Sequence, residues 1–535
     1  MSSTRIFSIA DFSPAADGVT DDLDVFIRCF TDAKIANGAT ITIPPGTYFL
    51  SGTSSIPIPS HAAIFAYGAV FILPEHLGDK ARIDLFAGTD IVDFHWNGGC
   101  FKGQCFDHRR QPNTWEPNVT TRIFAIATSR GGRTEDIRFR DVSSERIAGA
   151  VVSVAGCHKD GSDRYIDTYA ENITLESCTF IDSGKFMWDY GLLWQMIVWP
   201  EDYTADEVSM AYKYFHRGLI RDNVRMENGD TRVSFANNED VIPVCTSDTP
   251  AQCVCFSGDK LPANIIRGRK YYVASSGPYH ITISDTFGGA PIQFDGNGSG
   301  VKMIHNLQKA FYELFWPIGT GPGKGGIDIV AAKNVTVTGC RLSALGDTMH
   351  IHSCDTTVFS NNHITGSRMG AFFLAEWCRN TTIIGNTVDG TNGSRVMSVE
   401  KSNENVTIMG NIFRNGGRGS WINQPKNIII QGNVFVNNTT KCEHDPCRGR
   451  RSFHTGDYEQ YAEMYFTLHE KDGSYGPVIL RDNIFVTGPE CATAVSFAPN
   501  GHDIIVSGNV FTGHSRIVTI DPSCTNVTTD IVITR

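Results

Sequence analysis

Across the C-terminal half, short runs of alternating apolar and polar residues close again and again on a bend and two further apolar residues. They read "VTVTGCRL", "TTVFSNNHI", "TTIIGNTV", "VTIMGNIF", "IIIQGNVF", "VILRDNIF" and "IIVSGNVF". Alternation with period two is the pattern of a half-buried strand, and Gly-Asn marks a sharp turn because both residues tolerate left-handed backbone. The residue before the closing apolar pair falls at Cys340, Asn361, Asn386, Asn411, Asn433, Asn483 and Asn509. That spacing is roughly 20 to 25 residues with one gap about twice as long, a solenoid period. Units of this length are too short for a strand plus a full helix. The pattern predicts an all-β parallel β-helix whose coils each supply three short strands, in preference to a propeller or a leucine-rich horseshoe. Stacked coils would carry an internal ladder of asparagines at the bend.

At the N-terminus the period changes. In "DGVTDDLDVFIRCFTDAKIANG" the spacing of Val25, Phe26, Cys29 and Phe30 makes one apolar helical face, and Thr20 or Asp21 can cap a helix from about 22 to 36. Such a helix would close the open end of the solenoid, as terminal caps must. Three segments break the repeat and predict the domain layout. The cap and first coils occupy residues 1–239, with an aromatic, partly helical insertion near 185–218 in which Thr204 and Glu207 can form a capping box. A small inserted β-module with turns at "SGD", "SSG" and "FGG" spans 240–300. The remaining coils fill 301–535, with a Cys-containing insertion near 439–475. Long insertions in solenoids emerge on one face and wall a binding groove.

Residues Asp11 to Gly52, with "DGVTDD", the amphipathic helix and "IPPGTY", resemble the opening of the pectate-lyase-like superfamily, which implies the same all-β fold as a single-stranded, right-handed parallel β-helix. Composition agrees with a folded chain: 41% hydrophobic, 19% charged and rich in turn-forming glycine, 52 in all. A formal charge of −11 gives no basic field for nucleic acid or an anionic membrane, and no apolar run of ~18 residues offers a membrane span. The 15 cysteines, clustered at Cys245, Cys253 and Cys255 and at Cys442 and Cys447, favour disulfides in an oxidising compartment over a metal site. No metal or other cofactor is expected, since "CVC" lacks zinc-knuckle spacing. Sequons at Asn118, Asn334, Asn405 and Asn526 hint at a secreted glycoprotein, although several fall at one place in the repeat, where Asn and Thr have structural reasons to occur. No signal peptide is visible; a trimmed one would suit secretion.

Candidate chemistry concentrates in the strands of one face: "GIDIVA", "DTMHIHS", "FFLAEWC", "RVMSVEK" and "SWINQ". Alternation puts Met349 and Ile351 inward and Thr348, His350 and His352 outward, with Asp347 at the strand's start. Neighbouring coils stack ~4.8 Å apart, so Glu376, Trp377, Glu400 and Lys401 reach the same surface. An acidic, aromatic-lined patch suits carbohydrate, whose C–H faces stack on Trp and whose hydroxyls bond carboxylates and imidazoles.

"VTVTGCRLSALGDTMHIHS" resembles the "C-x-F-x-x-x-G-D-D-A-I-N-V-H" segment of β-helical glycoside hydrolases, especially the α-1,3-galactosidase type, and more remotely the Asp-Asp segment of polygalacturonases. The resemblance implies a catalytic carboxyl at Asp347 and substrate contacts from His350 and His352. Gly346 stands where that family has its first acid, so Asp328, Glu376 or Glu400 would supply the second carboxylate. Trp377 and Asp189 are further substrate-binding candidates. Each has a plain rival: Asp347 as a turn residue, the histidines and glutamates as solvated positions on an outer face, Trp377 as packing under a loop. Arg448, Arg450 and Arg451 read as a solvated loop before an anion clamp.

The leading expectation is a secreted glycosidase acting on a polysaccharide or oligosaccharide by carboxylate acid/base catalysis. A polysaccharide lyase using a histidine base is the first alternative. A non-enzymatic glycan-binding adhesin or viral spike is the second, because "SGDKLPANIIRGRKYYVASSGPYHITISD" resembles inserts of virus-associated β-helices. No nucleic acid or membrane insertion is expected, and a homo-oligomer is left open.

Overall fold

The computed structural model describes residues 5–531 except 75–81, 104–119, 148, 161, 163, 185–219, 237–241, 247–252, 267–268, 270, 306–323, 345–346, 368–369, 391–394, 418, 440–461, 469–472, 490, 492 and 514–515. Three long parallel sheets of 14, 13 and 12 strands run the length of the chain, and successive coils contribute one strand to each in turn. This is the expected parallel β-helix, right-handed as parallel crossovers are. Each strand presents alternate side chains to the interior: in Glu404–Met409, for instance, Val406 and Ile408 are buried.

The N-terminal helix, Leu23–Ala36, lies where the pattern placed it, with Leu23, Val25, Phe26, Cys29, Phe30 and Ala33 buried. Its capping differs in detail. The N-cap is Asp22, whose carboxylate accepts the amides of Ala15 and Ala16 at 2.7 and 3.0 Å and so ties the preceding loop instead of the helix end. Asp21 takes the helical role, accepting the Leu23 amide at 3.0 Å. Beneath the helix a cluster of rings that includes Phe26, Phe30, Phe71, Phe86, Trp96 and Phe124 fills the first coils.

The asparagine ladder is present, with one correction of register. Asn362, not Asn361, occupies the rung: its Oδ1 accepts the Cys340 amide at 3.0 Å, and its own amide donates to Asn386 Oδ1 at 2.9 Å. The same amide-to-Oδ1 bond repeats from Asn386 to Asn411, Asn433, Asn483 and Asn509. Beside it Phe413, Phe435, Phe485 and Phe511 stack with centroids 5.1, 4.9 and 5.1 Å apart. A second, exposed ladder runs along the first sheet: Asn427 donates to Asn405, Asn405 to Asn380 and Asn380 to Asp355. Asn334, Asn405 and Asn526 all have positive φ at this bend, so the sequons there follow from backbone geometry. Asn118 lies outside the described residues.

The disulfide expectation does not hold among the described residues, where no disulfide is formed. Cys178, Cys340, Cys354 and Cys378 are buried free thiols. Each thiol points at a backbone carbonyl, as Cys354 does at Ile329, 3.6 Å away. Cys442 and Cys447 lie outside the described residues.

A two-stranded hairpin, Cys157–His158 with Ile166–Thr168, leaves the helix between the third and first sheets. The inserted β-module consists of two antiparallel three-stranded sheets: Ile220–Val224, Val254–Ser257 and Val301–His305, and Arg232–Ser234, Tyr272–Ser276 and His280–Ser284. This module enters between Thr179–Ser183 of the second sheet and Lys324–Val330 of the third. The Cys-containing insertion takes the equivalent place between Val434–Val436 and Met464–Thr467. Both therefore fall, in chain order, between a strand of the second sheet and the next strand of the third.

Glu463, which precedes Met464–Thr467, is fully buried and its carboxyl accepts the Asn438 amide at 3.0 Å on each oxygen and Asn438 Nδ2 at 2.5 Å. Desolvation outweighs those bonds and pushes the carboxyl up to about 7 from its ordinary 4.5. A raised carboxyl contributes stability that is complete below its unfolded value and is lost as pH rises through about 7. Glu463→Gln is therefore expected to remove about 3 kcal/mol of pH-dependent destabilisation between about pH 5 and pH 8. Urea midpoints of both proteins at the two pH values check this.

Candidate functional site in the groove of the third sheet

The outer face of the third sheet collects the predicted residues because its strands are in parallel register. Asp328 stands opposite His350, and Val330 opposite His352. Met349 and Ile351 are fully buried and the two histidines keep partial exposure on the outer face, as alternation required. Thr348 is the exception: it is completely buried, and its Oγ1 has no hydrogen-bond partner among the described residues.

His350 Nδ1 lies 2.8 Å from Asp328 Oδ1, with both side chains nearly buried. A carboxylate accepting the Nδ1 proton orients the ring and leaves the basic lone pair on Nε2. His352 stacks on His350 with centroids 5.9 Å apart and meets the Trp377 ring edge-on at 5.5 Å. Its Nε2 is 3.9 Å from Glu376 Oε2, and its Nδ1 is 3.1 Å from the Ser353 hydroxyl. Glu376 in turn forms an ion pair with Lys401 on the next coil. Trp377 has positive φ, 56°, at the corner that turns its ring back toward the histidine.

The register of Ile351, Leu374, Val399 and Ile422 continues by one residue to align His352, Ala375, Glu400 and Asn423 across four coils. Ala375 is a small residue between His352 and Glu400, leaving space on the row. Glu400 keeps some surface, but desolvation of its carboxyl dominates and, with the Glu376 charge adding, pushes it up to about 7. Arg395 and Lys401 act against the shift without cancelling it.

Asp347 is nearly buried at the corner where the chain enters the strand, on the inward-pointing parity of Met349 and Ile351. The outer-face cluster thus brings together Asp328, His350, His352, Glu376, Trp377 and Glu400, with Asp347 at its margin. Asp189, Gly346, Arg448, Arg450 and Arg451 lie outside the described residues. Among the described residues no group of three or more His, Cys, Asp or Glu is arranged to hold a metal ion.

The sequence reading missed several contributors. His158, on the hairpin, sits 5.7 Å from His352. Arg122 binds Asp84 through two bonds of 2.6 and 2.8 Å and reaches Ser153 at 3.4 Å; Ser153 stands opposite Asp328. Farther along, Arg395 lies 4.6 Å over Trp421 and donates to the Tyr465 hydroxyl at 3.3 Å. These residues lie outside the clear repeats, and only the coil register unites them. Outward alternation in "SWINQ" was the one available signal for Trp421.

The family described as "Right handed beta helix region" matches residues 315–446. The chain is a right-handed parallel β-helix protein. Among solved structures, this β-helix protein is similar to the A-module of the Azotobacter vinelandii mannuronan C-5 epimerase AlgE4, at 10% identity and a TM-score of 0.50, covering 98% of this chain and 100% of that one. It is also similar to DFA-IIIase from Arthrobacter chlorophenolicus without its lid (11%, TM-score 0.44, 99% and 95% covered). A third is the Streptococcus pneumoniae surface adhesin PfbA (10%, TM-score 0.42, 98% and 94% covered). No curated protein matches the chain. Among the described residues no helix of this β-helix protein is long and apolar enough to cross a membrane.

Proposed function

We propose that this β-helix protein is a secreted or surface-delivered glycosidase that hydrolyses a polysaccharide or complex glycan in the groove of its third sheet. The observation that carries this reading is the pair of carboxyls on adjacent coils: Glu400, raised to about 7, and Glu376, ion-paired with Lys401. Two neighbouring acids whose surroundings set them apart are what glycoside hydrolysis uses. Glu400 would give its proton to the leaving oxygen as the glycosidic C–O bond breaks. Glu376 would take a proton from the water whose oxygen bonds to the anomeric carbon, or bond that carbon itself in a glycosyl ester that water then hydrolyses, with Glu400 taking the water's proton. Trp377 and His352 would hold the sugar, and Asp347 and Asp328 are the reserve carboxylates. The His158 hairpin, whose ring lies 5.7 Å from His352, adds a further side chain beside the row.

A second reading rests on the Asp328–His350 pair. A histidine oriented by a carboxylate is a general base; a uronate polymer that loses the ring proton beside its carboxylate to His350 and then expels the glycosidic oxygen from the next carbon, leaving a C=C bond and a new hydroxyl end, would make the protein a lyase. The similarity to a mannuronan epimerase supports the same substrate class at the level of fold alone.

The test is incubation of wild-type protein with neutral and uronic-acid polysaccharides and galactosides, following reducing ends and unsaturated-sugar absorbance together. Reducing ends without absorbance support hydrolysis. Absorbance that is lost in Asp328→Asn moves the assignment to a lyase working through His350. Silence in both channels overturns the enzymatic reading in favour of glycan binding.

A further inference from the structure

On the outer row that contains Glu400, the next coil supplies Asn423. Val399 pairs with Ile422, so Glu400 and Asn423 are neighbours one residue on, and both alternate with fully buried residues. Strands in register lie ~4.8 Å apart, which brings two outward side chains within hydrogen-bond reach. Asn423 is itself only 4% exposed. Its Nδ2 donates to Thr467 Oγ1 at 2.9 Å, on the coil away from Glu400, and Thr467 Oγ1 also accepts the Trp421 indole N–H at 2.6 Å. With Nδ2 committed to that side, Asn423 Oδ1 is buried and has no hydrogen-bond partner among the described residues. A buried acceptor without a donor costs about 1–3 kcal/mol. Glu400 can supply a donor only when its carboxyl carries a proton.

We propose that Asn423 is a positioning residue that holds the proton-donating form of Glu400, accepting the Glu400 carboxyl O–H at its otherwise unpartnered Oδ1. The inference rests on the reading of Glu400 as the acid of the proposed hydrolysis. Trp421 and Thr467 are the anchor, since Thr467 Oγ1 accepts both the indole N–H and the Asn423 Nδ2. The charged groups facing Glu400 are Glu376, which favours its neutral form, and Arg395 and Lys401, which favour the carboxylate. His352 lies two coils away on the same row. The cations would ionise a solvated carboxyl in this position, and burial together with the Asn423 acceptor opposes them.

Two variants move the acid in opposite directions. Asn423→Leu keeps the volume and dryness but removes the acceptor, so the alkaline limb of kcat/KM is expected to fall by about 0.5 to 1 pH unit. Asn423→Asp places a second acid beside Glu400 and is expected to raise the limb, because two close carboxyls do not ionise together. A purely structural role for Asn423 would lower kcat in both variants and leave the limb where it was, and that result overturns the proposal. A readout independent of activity is the pH dependence of the urea midpoint in a double-mutant cycle of Asn423→Leu with Glu400→Met, which removes the donor at every pH. Coupling between the two sites, present near pH 6 and absent near pH 9, is expected. If wild-type protein cleaves no glycan but the coupling is present, the hydrolase reading fails and the Asn423–Glu400 contact stands; no coupling at either pH overturns the contact itself.

Discussion

Glu400→Gln is expected to lower kcat on the cleaved glycan by about 100- to 10,000-fold, the usual contribution of a positioned general acid. Gln matches the shape of the protonated side chain and fits the same dry site, so folding should survive. It has no proton to give. The pH profile separates this role from a binding one. Desolvation, with Glu376 adding, raises the carboxyl to about 7, so the proton-bearing form dominates below that value and wild-type activity should decline above it. In Glu400→Gln the residual activity should show no such alkaline limb. Leaving groups that need no protonation, such as a dinitrophenyl glycoside, should recover much of the lost rate, because the acid assists only departure of a poor leaving group. Undiminished kcat on the natural glycan would remove Glu400 from the chemistry and return the choice of acid to Asp347 or Asp328.

The second large effect concerns stability. Asn411→Leu is expected to destabilise the β-helix by about 3–5 kcal/mol, since it leaves several buried polar groups unpaired. Asn411 Oδ1 accepts both the amide and the Nδ2 of Asn386, at 2.8 and 2.9 Å. Its Nδ2 donates to the Ile383 and Met409 carbonyls at 2.9 and 3.0 Å and to Asn433 Oδ1 at 2.9 Å. All these groups are inside the coil corner, where water does not replace the lost partners. Asn405→Ala interrupts the exposed ladder, where water does replace them, and should cost about 1 kcal/mol or less, mostly from the left-handed backbone Asn405 adopts. Urea denaturation of both variants measures the contrast. Equal losses would mean that the internal ladder follows the fold and does not hold it.

Much of this architecture could be read from the chain. Alternating strands and the recurring Gly-Asn bend specify local structure through backbone preference, and both depend only on neighbouring residues. The same holds for the amphipathic N-terminal helix. Where counting was ambiguous, at the two adjacent asparagines 361 and 362, the text alone does not say which one enters the corner. Packing decides it: Asn362 is buried and spans two coils, whereas Asn361 has positive φ and is exposed. Cysteine spacing misled about disulfides, none of which is formed among the described residues. Cys354 and Cys378 are small residues that fit dry corners, and burial pushes the Cys354 thiol up to about 12, which marks an inert side chain.

Outward placement of His350 and His352 followed from alternation, and the candidates Asp328, Glu376, Trp377 and Glu400 were all in view. Their partners were not. Asp328 and His350 are 22 residues apart, Arg122 and Asp84 are 38, and Trp421 and Thr467 are 46. Such pairs depend on how many residues each coil and insertion uses before the chain returns to the third sheet. The sequence by itself determined the period, the cap and which side chains face outward, because these are local. Only the tertiary structure decided which outward residues became neighbours and which carboxyl was driven toward its neutral form, because stacking register and desolvation are properties of the assembled coils.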